Sequence, residues 1–227
     1  AGGDSISYAI AVEEISKKCA STGVMLSGAS SLFSWPILKF GTEDQKKKYY
    51  MPLIAGEKQG CFALTEPDAG TDAASHKTVA VLNGDHYILN GTKCFITNGA
   101  KADFAIVMAM TDRSKGVKGI SAFIVEKSYQ GFSVGKHENK MGIRGTNTVE
   151  LIFQDVKVPK ENLLGKEGKG FNIAMATLDS GRIGVAAQAL GIAQGALDEA
   201  IKYVKERKQF GKPIASFQGL QWMLSEM

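Results

Sequence analysis

Between residues 60 and 160 the chain is a succession of short strand-like segments separated by turn pairs, with no helical stretch among them. No other feature constrains the fold as strongly. Thr78–Leu82 and His86–Leu89 flank Asn83-Gly84, a pair that favours the type I′ turn of a hairpin. Asn90-Gly91 and Asn98-Gly99 punctuate the next strand, Lys93–Thr97. Phe104–Met110, Ile120–Glu126 and Thr148–Phe153 continue the series, the last with Val149, Leu151 and Phe153 on one face. Many short strands without intervening helices predict an antiparallel barrel or sandwich. The absence of βαβ alternation excludes a dinucleotide-binding fold of the doubly wound kind.

Helical patterns flank this region. Ile6, Ile10 and Val12 to Ile15 recur at helical spacing, with Glu13/Lys17 and Glu14/Lys18 as i,i+4 pairs. Gly41 stops one helix, and Thr42 with Gln45 forms a capping box for the next, which runs through Lys46–Tyr50 and ends near Gly56. Helix returns from about residue 168. Ile183, Leu190, Leu197 and Val204 recur every seven residues, and Ala186, Ala193 and Ala200 follow the same step, which reads as a bundle seam in need of partner helices. Gly184, Gly191 and Gly195 would weaken a free helix and point to a closely approaching neighbour. The expected fold class is therefore α+β: a helical part over residues 1–58, a β domain over 59–163 and a helical-bundle part over 164–227. The missing initiator Met and the uncapped end QGLQWMLSEM suggest a piece of a longer protein, short at both ends.

Composition narrows the function classes. The formal net charge is +4, and the only dense basic run is Lys46-Lys47-Lys48, so nucleic-acid binding as a main role is not expected. No stretch approaches the roughly 20 apolar residues of a membrane span, and the first ten residues lack the pattern of a secretory signal. Cys19, Cys61 and Cys94 show no CxxC spacing, which argues for a reducing compartment and against a disulfide framework or zinc site. His76, His86 and His137 stand apart and read as surface or strand-packing residues, with no metal set among them. Gly165-x-x-Gly168-x-Gly170 matches neither phosphate-loop spacing and reads as a connecting turn.

Four segments carry the chemistry. Cys61 to Asp72 takes an apolar run into a turn dense in small and hydroxyl residues, the kind of loop that can hydrogen-bond a planar heterocycle or a phosphate. Phe95-Ile96-Thr97-Asn98 supplies an aromatic face and a hydroxyl at a strand end. Leu178-Asp179-Ser180-Gly181-Arg182 sets a carboxylate and a guanidinium three apart on a helix, and Arg207-Lys208-Gln209-Phe210-Gly211 ends the long helix with a cation and an aromatic. With QDVKVP, GRIGVAAQALGIAQGALDEA and ERKQFGKPI–FQ, these segments resemble the acyl-CoA dehydrogenase family over essentially the whole chain, and within it the short-chain, butyryl-CoA type.

The resemblance implies FAD as cofactor. Phe62, Ala63, Leu64, Thr65, Gly70 and Thr71 match the first flavin loop, with Thr65 at the pyrimidine edge of the ring. Phe95, Ile96 and Thr97 match the second, where Phe95 replaces the Trp usual in the family and Thr97 faces the flavin N5 region. Thr71, Asp179, Ser180, Gly181 and Arg182 match positions that contact the acyl-CoA substrate. Arg207, Phe210 and Gln218 match positions that hold the pyrophosphate and adenosine of FAD across a subunit interface. The implied reaction is α,β-dehydrogenation of a short-chain acyl-CoA to the trans-2-enoyl-CoA in fatty-acid β-oxidation. Its electrons pass to an electron-transfer flavoprotein, and the enzyme is a homotetramer. Such an enzyme is cytoplasmic in bacteria and mitochondrial in eukaryotes.

No catalytic base is placed in this chain. In the short-chain branch the Glu lies on a later helix, beyond Met227, and the position used by another branch is Gly181 here. A different class of reading stays open: a non-catalytic or differently catalytic member of the same fold, such as a flavin oxygenase-like protein or an acyl-CoA-binding subunit.

Overall fold

Asp4 opens the first helix, α1 (Ser5–Ser16), by accepting a 2.8 Å hydrogen bond from the Ser7 N–H. The computed structural model describes residues 3–227. Helix α2 (Ala20–Gly28) continues through a wide π-helical stretch, Ala29–Ser34, into α3 (Trp35–Phe40). The Thr42–Gln45 capping box is present, with both reciprocal hydrogen bonds. It starts α4 (Glu43–Gln45), which passes through a second π-helical stretch, Lys46–Tyr50, into α5 (Met51–Ile54). Each wide stretch precedes a proline, Pro36 or Pro52, near the start of the following helix. A prolyl ring has no N–H and crowds the carbonyl four residues back, which a wider turn relieves.

The middle of the chain forms β1 (Gly60–Ala63), β2 (Val79–Asn83), β3 (His86–Thr97), β4 (Phe104–Met110), β5 (Ile120–Glu126), β6 (Phe132–His137), β7 (Thr148–Pro159) and β8 (Leu163–Leu164). They make one sheet in the order β6-β7-β3-β2-β4-β5-β8, with β1 also paired to β4. The helical ends and strand-built middle agree with the sequence reading. The sheet, however, is mixed rather than wholly antiparallel: β1 runs parallel to β4 from Gly60↔Phe104 to Ala63↔Val107, and β2 touches β4 in parallel at Val79↔Met110. The β2–β3 hairpin between them returns the chain to its starting end, so β4 enters beside β1 in the same sense.

The hairpin turn also differs in detail. Asn83 pairs with His86, leaving Gly84-Asp85 as the two central residues. Only Gly84 (φ 63°) is left-handed there, so the turn lacks the second positive φ that a type I′ turn requires.

Strand β4 shows no alternation, because both its faces are buried. Ala105, Val107 and Ala109 join Tyr87, Leu89, Phe123, Leu151 and Phe153 in one core, enclosed by the curl of the sheet. Phe104, Ile106, Met108 and Met110 join Phe33, Ile37, Tyr49 and Ile173 in a second, covered by helices. Burying each large apolar side chain stabilises the fold by roughly 1.5–3 kcal/mol. On β7, Val149, Leu151 and Phe153 are buried with half-buried residues between them, as the alternation predicts.

The chain divides into two compact units, one of Met25–Arg182 and one of the residues up to Val24 with Ile183–Met227. In the second unit, which holds α6 (Gly170–Glu206) from Ile183 onward, the predicted seam lies mostly open, as expected of one that needs partner helices. Ile183 and Leu190 are exposed (44% and 57%), and only Val204 of the four seam residues is buried. The face packed inward is the glycine stripe. A Cβ on Gly191 would lie 2.3 Å from the Glu13 carbonyl oxygen, and one on Gly195 2.3 Å from that of Lys17. Backbone contact with the α1 region thus selects the smallest residues and turns the larger apolar ones outward. The glycine triplet after β8 is the connecting turn expected from its spacing: Gly165 and Gly168 have positive φ, and the Gly168 N–H donates to Ser121 Oγ.

Candidate functional site

Strand β3 carries an irregularity that exposes an aromatic ring. Lys93 pairs with Leu151 and Ile96 with Val149, so β3 holds one residue more than β7 over this interval. Such a bulge bends a strand and re-aims a side chain. Phe95 takes φ 57° and is 62% exposed. A left-handed conformation costs a bulky residue about 1–3 kcal/mol and concentrates at functional sites. Thr97 follows, half-buried and paired with Thr148.

The loop after β1 lies alongside this bulge. The Cys94 N–H donates to the Thr65 carbonyl at 2.9 Å, and the Lys93 ammonium donates to the Leu64 carbonyl at 3.0 Å. Glu66 and Ala69 then close a turn through two mutual backbone hydrogen bonds of 3.1 Å. Gly70 and Thr71 emerge exposed, and a side chain at Gly70 would meet open space. Thr65 and Phe95 are therefore held within a residue of one hydrogen bond. Phe62, Ala63 and Ile96 lie in the cores instead, at 9%, 0% and 2% exposure. What these three can offer a ligand is main chain. Leu64 is half-buried against the helix-covered core.

Beneath the loop sits a buried ionic cluster absent from the sequence reading. Glu66 (4% exposed) accepts from the Lys93 ammonium at 2.7 Å and from the Lys77 and Thr78 N–H groups at 2.7 and 3.2 Å. His76 is buried with Nδ1 3.5 Å from Lys93 Nζ. Burial alone would raise the Glu66 carboxyl, but the Lys93 charge and the donated hydrogen bonds hold it below its ordinary value. Burial pushes the Lys93 ammonium down to about 8, against the pull of Glu66. Burial and the Lys93 charge together push His76 down to about 4. Near neutral pH the cluster is thus Glu⁻, Lys⁺ and neutral His.

The remaining candidates fall elsewhere. On α6, Asp179 and Arg182 form a 3.5 Å pair with both side chains about three-quarters exposed. Such a pair adds little stability and leaves both groups open to a ligand. Ser180 is half-buried. Gly181 is buried, and a side chain there would touch Leu32 and Ser31 at about 3.5 Å. In the other compact unit, β9 (Lys208–Gln209) and β10 (Lys212–Pro213) pair around Phe210-Gly211. Both turn residues have positive φ (53° and 77°), and Phe210 is 92% exposed with its ring against Phe217. Arg207 and Gln218 are exposed in the same unit. Among the described residues no group of three or more His, Cys, Asp or Glu could hold a metal ion, and all three cysteines are free.

Comparison with known proteins decides which family builds this arrangement. Residues 1–57, 61–156 and 168–227 match, in order, the N-terminal, middle and C-terminal domains described for acyl-CoA dehydrogenases. The chain belongs to the acyl-CoA dehydrogenase family. It is 62% identical over its whole length to the short-chain specific acyl-CoA dehydrogenase of Clostridium acetobutylicum, of which it covers 60%. The butyryl-CoA dehydrogenase structure from Megasphaera elsdenii superposes with a TM-score of 0.95 at 58% identity, over 99% of this chain and 59% of that one. The caffeyl-CoA reductase–Etf complex subunit CarC of Acetobacterium woodii is 55% identical, over 100% of this chain and 60% of its own length. The chain therefore spans about 60% of the length of the curated relatives it matches.

Sequence reading missed Lys93, His76 and the buried state of Glu66. One signal was available. Tyr87, Leu89 and Lys93 share the inward parity of β3, and an inward lysine requires a carboxylate.

Proposed function

We propose that the chain is the flavin-carrying portion of a FAD-dependent acyl-CoA dehydrogenase acting on short-chain thioesters. The observation that carries the reading is the strained, exposed Phe95 held beside the Thr65 loop, within a chain 62% identical to a short-chain specific relative.

The donor set fits a flavin. Its ring system asks for an apolar face and for hydrogen bonds along a polar edge, and the site offers an exposed phenyl, two threonine hydroxyls and the main chain of an irregular loop. When bound, the flavin accepts a hydride from the substrate. The protein's share is orientation, hydrogen bonding and exclusion of water. Phe95 would lie beside the ring and keep water from it. The Thr65 hydroxyl would serve the pyrimidine edge and that of Thr97 the N5 side, where donors would stabilise charge gained on reduction. Thr71 would serve both cofactor and thioester. Asp179 and Arg182, with Ser180, hold the polar part of the acyl-CoA, and Gly181, whose Cα faces Leu32 and Ser31, contributes main chain. Arg207, Phe210 and Gln218 serve the pyrophosphate and adenosine of a neighbouring subunit's FAD in a homotetramer.

Glu66 cannot remove the substrate proton, because its carboxylate is committed to Lys93 and two backbone N–H groups. The base is proposed to lie outside these 227 residues, as the resemblance to the short-chain branch implies. Electron-transfer flavoprotein is the proposed electron partner, in keeping with the Etf complex named for the Acetobacterium relative. That relative is named a reductase, which favours one second reading: the same site running in the reducing direction. A steady-state series of saturated acyl-CoA substrates, run on the full-length protein with an artificial electron acceptor, tests the proposal. Turnover highest with four-carbon acyl chains, forming the 2-enoyl-CoA, is expected. Turnover confined to reduction of enoyl-CoA would favour the second reading, and none in either direction would reject both.

A further inference from the structure

We propose that the buried Glu66–Lys93 pair is a positioning device that locks the two flavin-facing segments to each other and so sets the orientation of the bound ring. The inference rests on the flavin reading above and deepens it.

Lys93 occupies the last regular position of β3 before the bulge that turns Phe95 outward. Its ammonium is fully buried and reaches across to the other segment twice, to the Leu64 carbonyl at 3.0 Å and to Glu66 Oε1 at 2.7 Å. These two acceptors flank Thr65, whose carbonyl receives the Cys94 N–H. Thr65 is thereby pinned from three sides by the residues leading into Phe95. Glu66 carries the constraint onward, since it closes the Glu66–Ala69 turn that presents Gly70 and Thr71, and its carboxylate also anchors the Lys77 and Thr78 N–H groups. His76, neutral and buried, accepts from the free side of the ammonium at 3.5 Å. One ammonium therefore fixes the distance between the bulge and the loop.

A buried ion pair is a poor way to gain stability, because desolvation cancels most of the attraction, and a neutral replacement of both partners is often harmless to folding. Its retention beneath a ligand-facing loop fits a demand for geometry, where ligand positions must hold to about half an ångström. Neither residue touches the ligand; both act through Thr65, Phe95 and Thr71.

The test is the double variant Glu66→Gln/Lys93→Met of the full-length protein, in which both charges are removed together. It is expected to melt close to wild type, to bind FAD about tenfold or more weakly, and to show a shifted visible flavin band and midpoint potential. Wild-type affinity, spectrum and potential in the folded double variant would overturn the proposal and leave the pair a packing feature. Glu66→Asp, which keeps both charges but draws the carboxylate back from the Lys93 ammonium, is the second variant should the double variant not fold. It is expected to show the same spectral and potential changes at smaller amplitude, and an unchanged flavin there overturns the proposal equally. A wild-type protein that takes up no FAD would instead reject the flavin reading on which this rests.

Discussion

At the level of single residues, the proposed functional surface depends on groups that ordinary folding rules disfavour. Phe95 and Phe210 sit in left-handed backbone with their rings exposed, and Lys93 is fully buried. The Thr97 hydroxyl is assigned to the N5 side of the flavin, so Thr97→Val should leave FAD bound but slow its reduction by about three- to tenfold, as loss of one neutral hydrogen bond does. Stopped-flow reduction measures this, and an unchanged rate would remove Thr97 from the ring. His76 gives a pH prediction. Its folded value of about 4 lies below the ordinary 6.5, so between these limits the unfolded chain binds the proton and the native state does not. Stability from this group is complete above pH 6.5 and is lost as the pH falls toward 4, by at most about 3 kcal/mol. His76→Gln should flatten that part of the stability curve, measured by urea denaturation at a series of pH values. A slope between pH 6.5 and 4 identical to wild type would contradict it.

At the level of elements, what could be read in advance was what has a local signal. Strand β7 follows from alternation, β4 and β5 from short apolar runs bounded by turn residues, and the Thr42–Gln45 cap from a local hydrogen-bond signature, each complete within a few residues. The parallel partnership of β1 with β4 did not follow, because it joins segments 44 residues apart in the chain through no local signal. On α6 two patterns were legible: the heptad of large apolar residues, which lies open as a seam in need of partners would, and the glycine stripe, which packs backbone to backbone where there is no room for side chains. The loops proposed to face the flavin were singled out through resemblance, whereas the ionic cluster beneath them needed the fold to bring Glu66, His76 and Lys93 together. Two glycines separate packing from propensity. Gly191→Ala gains helix propensity of about 1 kcal/mol but drives a methyl into the Glu13 carbonyl, so a net loss of about 1–2 kcal/mol is expected. Gly219→Ala, where no atom lies within 4 Å, should instead stabilise by about 0.5 kcal/mol. Chemical denaturation of both checks the contrast, and a neutral Gly191→Ala would mean that α1 and α6 yield readily.

At the level of the whole molecule, the compact unit that includes α6 exposes Ile183, Val185, Leu190 and Ile192 on one helix, and Trp222 and Met223 on α7 (Gln218–Glu226). Ile183 and Leu190 share one face of the helix and Val185 and Ile192 the opposite one, and exposed apolar stripes of this kind mark interaction faces, in keeping with the proposed homotetramer. Ile183→Glu/Leu190→Glu in the full-length protein should yield smaller species in sedimentation, and an unchanged tetramer would place the subunit contact elsewhere. No described helix is long and apolar enough to cross a membrane. The central proposal is that Thr65, Phe95 and Thr97 face a flavin that exchanges electrons with a short acyl-CoA. An anaerobic titration of the FAD-loaded, full-length protein with butyryl-CoA, followed by visible absorbance, tests it most directly. The oxidised flavin band is expected to bleach as butyryl-CoA is added. A flavin that stays oxidised with butyryl-CoA, yet bleaches with an unrelated reductant, would contradict it.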